Sequence, residues 1–107
     1  MLINSSDLDK VKQVVEKYFI SIDGDLFLFG SQATGQQTRI SDYDIGYFAD
    51  ENLNPTQREN LREELENLDI PVKVDLINFK EVTDDFKEIA LKKVILWKKK
   101  SKNSLFN

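Results

Sequence analysis

Apolar positions along this 107-residue chain fall into short blocks whose period changes several times, and each change marks a boundary between elements. Leu8, Val11, Val15, Tyr18 and Ile22 recur at helical spacing behind Ser6-Asp7-Leu8-Asp9, a stretch like a capping box with Asp in its last place. A helix is predicted from Asp7 to Phe19. Asp23-Gly24-Asp25 reads as a turn, and Leu26 to Phe29 is an unbroken apolar run of strand length, as expected when both faces are covered. This strand is expected to be central and to end at Gly30. The polar stretch from Ser31 to Ser41 accommodates a short helix around Gln32 and Ala33.

Tyr43 to Phe48 returns to aromatic and β-favouring residues and reads as a second strand, closed by Asp50-Glu51-Asn52. Asn54-Pro55 supplies an N-cap with Pro at the first helical position, and Leu61, Leu65 and Leu68 share a face until Ile70-Pro71 stops the helix. Three leucines over two turns are too few for a coiled coil, so they belong to the core. Val72 to Phe79 is a third strand, and Thr83 caps a helix with Phe86, Ile89 and Ala90 facing inward. Val94 to Trp97 is a last strand or extended segment, with Trp97 in the core. The order α, β, short α, β, α, β, α, β has neither repeat nor linker. It predicts one α+β domain over residues 1–107, a small mixed sheet of about four strands flanked by helices, with a Lys-rich C-terminal tail from about residue 98.

Composition narrows the chemistry. Hydrophobic residues make up 40% and charged residues 32%, with four Gly and two Pro, the balance of a chain that packs a core. The apolar run at Leu26–Phe29 is far short of the roughly 20 residues that span a bilayer. Met1 to Lys10 is too polar for a signal peptide, so a cytoplasmic protein away from membranes is expected. The absence of Cys and His excludes disulfides, zinc held by those residues, thiol nucleophiles and imidazole acid-base chemistry. Carboxylates, hydroxyls and a hard metal remain. A net charge of −4 argues against stable nucleic-acid binding. Lys92, Lys93, Lys98, Lys99, Lys100 and Lys102 nevertheless gather positive charge at the C-terminal end, as a solvated tail or as contacts to RNA, an acidic partner or a triphosphate.

Asp42 and Asp44 stand two apart at the start of a predicted strand, so their carboxylates point to one face. Two such charges about 5 Å apart repel by roughly 3 kcal/mol at an effective dielectric near 20, a cost that a shared divalent cation reverses. Oxygen ligands select Mg²⁺, or Mn²⁺, over zinc. Asp75, inside Val72-Lys73-Val74-Asp75-Leu76-Ile77, is expensive in an apolar strand unless paired or metal-bound, and becomes the third ligand if the second and third strands are neighbours. Tyr43 and Tyr47 alternate with these positions and are expected on the opposite face. An isolated Asp-x-Asp is more often a solvated strand start. The preceding turn changes that: Phe29-Gly30-Ser31 sits where a buried strand leads into a helix N-terminus, which offers amide N–H groups and a hydroxyl to a phosphate.

Gly30-Ser31-Gln32-Ala33-Thr34-Gly35, followed after the loop by Ser41-Asp42-Tyr43-Asp44-Ile45, resembles the signature of the polymerase-β-type nucleotidyltransferase superfamily in its minimal, antitoxin-like branch. With length, element order and Asp75, the resemblance extends across nearly the whole chain. It implies a polymerase-β-like nucleotidyltransferase fold in which Gly30 and Ser31 hold the nucleotide phosphates. Asp42 and Asp44 bind Mg²⁺, and Asp75 assists metal binding and deprotonation of the acceptor hydroxyl. Proteins similar to this are encoded with a helical HEPN-type ribonuclease toxin, also described as a substrate-binding protein, and neutralise it by moving AMP from ATP onto a toxin tyrosine. At Thr34, where the minimal family commonly carries Arg, a positive contact is missing, and Arg39 is the cation of that loop left to face a triphosphate.

The expectation is a Mg²⁺-dependent protein adenylyltransferase acting as an antitoxin, alone as a homodimer or in a hetero-oligomer with its toxin. Two alternatives share the motif. One is an antitoxin that neutralises by binding alone. The other is a small-molecule adenylyltransferase of the aminoglycoside-modifying type, which needs a separate substrate-binding chain at this length. A template-dependent polymerase needs surface that this acidic chain lacks.

Overall fold

Six consecutive buried residues, Gly24 to Phe29, form the strand around which the molecule is arranged. A computed structural model describes residues 5–30, 43–70 and 73–106. In it α1 (Ser5–Tyr18) leads into β1 (Gly24–Phe29), followed by β2 (Tyr43–Ala49), α2 (Pro55–Glu66), β3 (Val74–Asn78), α3 (Asp84–Ala90) and β4 (Ile95–Lys98). The sheet runs β3-β2-β1-β4, with β1 antiparallel to both neighbours and β2 parallel to β3. The parallel pair needs a crossover connection, which α2 supplies. The expected short helix near Gln32 and Ala33 lies outside the described residues. Among the described residues, no helix is long and apolar enough to cross a membrane.

Each face of the sheet buries its own cluster. On one face, Val11 and Val15 of α1 and Leu61 and Leu65 of α2 pack on Leu26, Leu28, Tyr43 and Ile45. The Asn54 signal acts as expected: its Oδ1 accepts from the Gln57 amide at 2.8 Å, and the Gln57 Oε1 accepts from the Asn54 amide at 3.0 Å, closing a capping box that starts α2. On the other face, Phe27, Phe29 and Phe79 meet edge to face at centroid distances of 4.8 and 5.2 Å, and Phe106 joins Phe27 at 5.0 Å. Gly46, opposite Phe27 in β2, makes this possible, because a Cβ there would lie 2.5 Å from the Phe27 ring and 2.6 Å from Phe79.

Three expectations change. Phe86 and Ile89 do not both face inward: Ile89 is 68% exposed and Phe86 42% exposed. The seven-residue α3 is too short to present a full buried stripe, and Phe86 reaches Phe29 and Phe79 only with its ring at 6.0 and 5.8 Å. β3 is an edge strand, so all five of its residues are half-buried, and Trp97 is half-buried as well. The C-terminal end is no free tail. Lys98 belongs to β4 and its Nζ donates to the Phe19 and Ile22 carbonyls, each at 2.7 Å, just past the end of α1. Positive charge is favourable there because helix carbonyls point toward it.

Asp25 anchors the C-terminal segment. Read from sequence as part of a turn, it is instead the second residue of β1 and fully buried. Its carboxylate accepts from the Lys100 amide at 2.7 Å, the Ser104 hydroxyl at 2.6 Å and the Leu105 amide at 2.8 Å. Asn103, with φ 58°, turns the chain so that Ser104 and Leu105 reach it. Asp23 accepts from the Ser101 amide and hydroxyl at 2.8 and 2.7 Å, and these bonds hold its carboxyl below the usual carboxylate range. Lys100, itself 2% exposed, pairs with Asp50 at 3.1 Å.

Tyr43 is the exception to this satisfaction of buried polar groups. It is 1% exposed, and its hydroxyl has no hydrogen-bond partner among the described residues. Burial pushes its pKa from 10.0 up to about 12, so the fold loses stability as pH rises from 10 toward 12, where the unfolded chain gives up this proton first. Tyr43→Phe is expected to stabilise the fold by about 1 kcal/mol near neutral pH, because it removes an unpaired buried hydroxyl. It should also weaken the alkaline loss; urea unfolding at pH 7 and pH 11 checks both.

Candidate active site

The strand register brings the predicted chemistry to one row. Phe29 of β1 lies opposite Asp44 of β2, and Asp44 lies opposite Asp75 of β3. Directly opposed residues project to the same face of a sheet, so the two carboxylates stand side by side on the face that carries Phe29. Tyr43 and Tyr47 project the other way into the α1/α2 core, as the alternation predicts. The neighbouring of the second and third strands, a condition of the sequence reading, is met.

Gly30 closes the row. It has φ +79°, in the left-handed region that favours glycine, and a Cβ there would collide with Oδ2 of Asp44 and lie 3.3 Å from the Asp44 Cβ. Only a residue without a side chain lets the backbone pass this close to the carboxylate. Gly30→Ala is therefore expected to displace the Asp44 side chain and to lower the thermal midpoint by about 5 °C or more; a melting curve checks it.

Asp44 and Asp75 are both half-buried, and Lys73 Nζ lies 3.5 Å from the Asp75 carboxylate. Asp75 thus sits at a sheet edge, not in an apolar interior, and the burial cost expected from its sequence neighbours is smaller than the pattern implied. Among the described residues no group of three or more His, Cys, Asp or Glu side chains is assembled to hold a metal ion. Asp42, the third carboxylate of the sequence reading, lies outside the described residues, as do Ser31, Thr34 and Arg39. The donors that are described fit a hard divalent cation: two adjacent carboxylates, oxygen only, beside a glycine that leaves room.

Two depressions lie near the row, one on each face of the sheet. A slot of about 340 Å³ adjoins Gly30 and Phe29 and is walled by Phe86, Ile89 and Ala90, with Lys92 and Lys93 at its rim. A groove of about 920 Å³ lies on the opposite face, between α2 and β3, floored by Leu61, Leu65 and Leu76, and meets Asp75 at the sheet edge. Sequence reasoning assigned Phe86 and Ile89 to the core and so missed that they face the site. Their periodicity is that of buried residues, and only the shortness of α3 signals otherwise.

Comparisons with known proteins agree with this geometry. The family described as polymerase beta, nucleotidyltransferase matches residues 9–102. A probable protein adenylyltransferase, MntA, of Haemophilus influenzae is 30% identical over 100 residues, covering 94% of this chain and 86% of that protein. Among solved structures, a toxin-antitoxin complex with AMP-PNP superposes with a TM-score of 0.60 at 23% identity, over 81% of this chain and 73% of that one. A complex of tri-AMPylated Shewanella oneidensis HEPN toxin with its MNT antitoxin gives 0.62 at 18% identity, over 90% and 73%. At these identities the solved structures establish a shared fold.

Proposed function

This chain belongs to the polymerase beta nucleotidyltransferase family, and on that premise we propose that it transfers AMP from ATP to a tyrosine hydroxyl of a cognate HEPN-type toxin, acting as the antitoxin of the pair. The proposal takes residues 1–107 as one minimal transferase domain working in the cytoplasm. The observation that carries it is the in-register pair of Asp44 and Asp75 against the side-chain-free backbone of Gly30. The MntA likeness supports a protein acceptor, and the toxin-antitoxin likenesses support the partner.

In this reading Asp42, Asp44 and Asp75 would hold Mg²⁺, with Mn²⁺ an alternative of the same donor chemistry. The bound cation would supply positive charge to the α-phosphate and to the departing pyrophosphate. Gly30 admits the phosphates close to the backbone, Ser31 donates its hydroxyl to a phosphate oxygen, and Arg39 offers charge where Thr34 does not. Tyrosine has a pKa near 10, so its proton needs an acceptor at neutral pH, and Asp75, on the edge strand of the sheet, is the group to take it. The tyrosine oxygen then bonds to the α-phosphorus as the bridge to the β-phosphate breaks, releasing pyrophosphate.

Intact-mass spectrometry of the partner toxin after incubation with this protein and Mg-ATP tests the reading. The expected result is a mass increase by whole AMP units, mapped to tyrosine. A toxin that is neutralised at unchanged mass would leave an antitoxin that works by binding alone.

A further inference from the structure

The slot beside Gly30 has no part in the carboxylate chemistry, and its walls are unusual for this molecule. Phe86 and Ile89 are large apolar side chains left 42% and 68% exposed, although the Phe86 ring reaches the core rings of Phe29 and Phe79. Singly exposed apolar residues need no explanation. Here they converge with Phe29 and Ala90 on one concavity of about 340 Å³, near the lower end of the roughly 300–1,000 Å³ found for small-molecule sites. The concavity adjoins the candidate active site, because Phe29 is the strand partner of Asp44 and Gly30, which lines the slot, is where a Cβ would run into the Asp44 carboxylate. Its rim carries Lys92 and Lys93, opposite in charge to a polyphosphate.

We infer that this slot receives the base of the nucleoside triphosphate, with Phe86 and Ile89 against the ring and Lys92 and Lys93 facing the phosphates. The inference rests on the nucleotidyl-transfer reading and adds to it the residues that distinguish a nucleotide from a bare polyphosphate. A flat aromatic ring suits a slot with an aromatic wall, since bases stack on such side chains. The same two lysines, read from the sequence among the charges of a solvated end, then have a ligand. A polypeptide segment is the poorer occupant, because the larger groove at Asp75 offers nearly three times the volume.

Calorimetric titration of the full chain in Mg²⁺ with ATP, and separately with inorganic tripolyphosphate, tests this. The parent is expected to bind ATP more tightly than tripolyphosphate by about tenfold or more, the size of one base-aromatic stacking contact. Ile89→Asn, at an exposed position that the fold does not need, and Phe86→Ala are each expected to remove most of that difference and to leave tripolyphosphate binding unchanged. Equal affinity of the parent for the two probes, or ATP binding by both variants at the parent's affinity, would overturn the inference while leaving the nucleotidyl-transfer reading in place. A parent that binds neither probe would overturn both.

Discussion

Asp44→Asn is expected to reduce AMP transfer by at least about 1,000-fold while leaving the thermal midpoint within a few degrees of the parent. Asp44 is flanked in register by Phe29 and Asp75, and a Cβ at Gly30 would collide with its carboxylate, so it stands at the centre of the described row. Asparagine keeps the shape and removes the charge. With Asp44 in its proposed role as a ligand to the cation, loss of its charge removes several kcal/mol of transition-state stabilisation. The fold loses little by it, because the change also removes a repulsion with Asp75 across the strand pair. Initial rates of label transfer, read beside a melting curve, separate the two effects. A variant that melts early and transfers slowly would indicate a structural role for Asp44, and one that transfers at the parent's rate would remove it from the chemistry.

The largest effect on stability is expected far from that site. Asp25→Ala should destabilise the fold by about 4 kcal/mol or more, because it deletes a fully buried acceptor and leaves the Lys100 amide, the Ser104 hydroxyl and the Leu105 amide without their partner. Bonds to a charged group contribute about 1.5–3 kcal/mol each, and domains of this kind are stable by only about 5–15 kcal/mol, so this substitution approaches the whole margin. The segment from Lys100 to Phe106 should detach first, taking Phe106 from its edge-to-face contact with Phe27. Equilibrium urea unfolding checks the magnitude, and loss of amide protection at Lys100 and Leu105 ahead of global unfolding checks the order. Parent-like stability would show that water serves these donors equally well.

These two aspartates mark where the sequence was legible and where it was not. Asp44 and Asp75 were readable because strand alternation fixes which residues share a face, and because few roles suit a carboxylate within an apolar strand. Their adjacency was a condition, not a reading: nothing local states that β3 pairs with β2 rather than with β1. The cap at Asn54 was equally plain, since a helix start is signalled by adjacent residues, whereas its reciprocal partner Gln57 was seen only in the structure. Asp25 was not legible. Its partners lie 75 to 80 residues away, and Asp-Gly-Asp fits a turn by every local rule. Lys98 and Lys100 were read with the other C-terminal lysines for the same reason, since only the tertiary fold shows the Phe19 and Ile22 carbonyls and Asp50 waiting for them. Ile89 failed in the opposite direction, because helical spacing predicts a buried face and cannot reveal that a short helix leaves part of it open.

The central claim is transfer of the nucleotidyl group, and the most direct measurement is incubation of the protein and its HEPN-type partner with Mg²⁺ and ATP labelled on either the α- or the γ-phosphate. Stable incorporation of the α-label alone into the partner, absent with Asp44→Asn, is the predicted result. Incorporation of the γ-label, or no incorporation into a partner that is nonetheless neutralised, would contradict it.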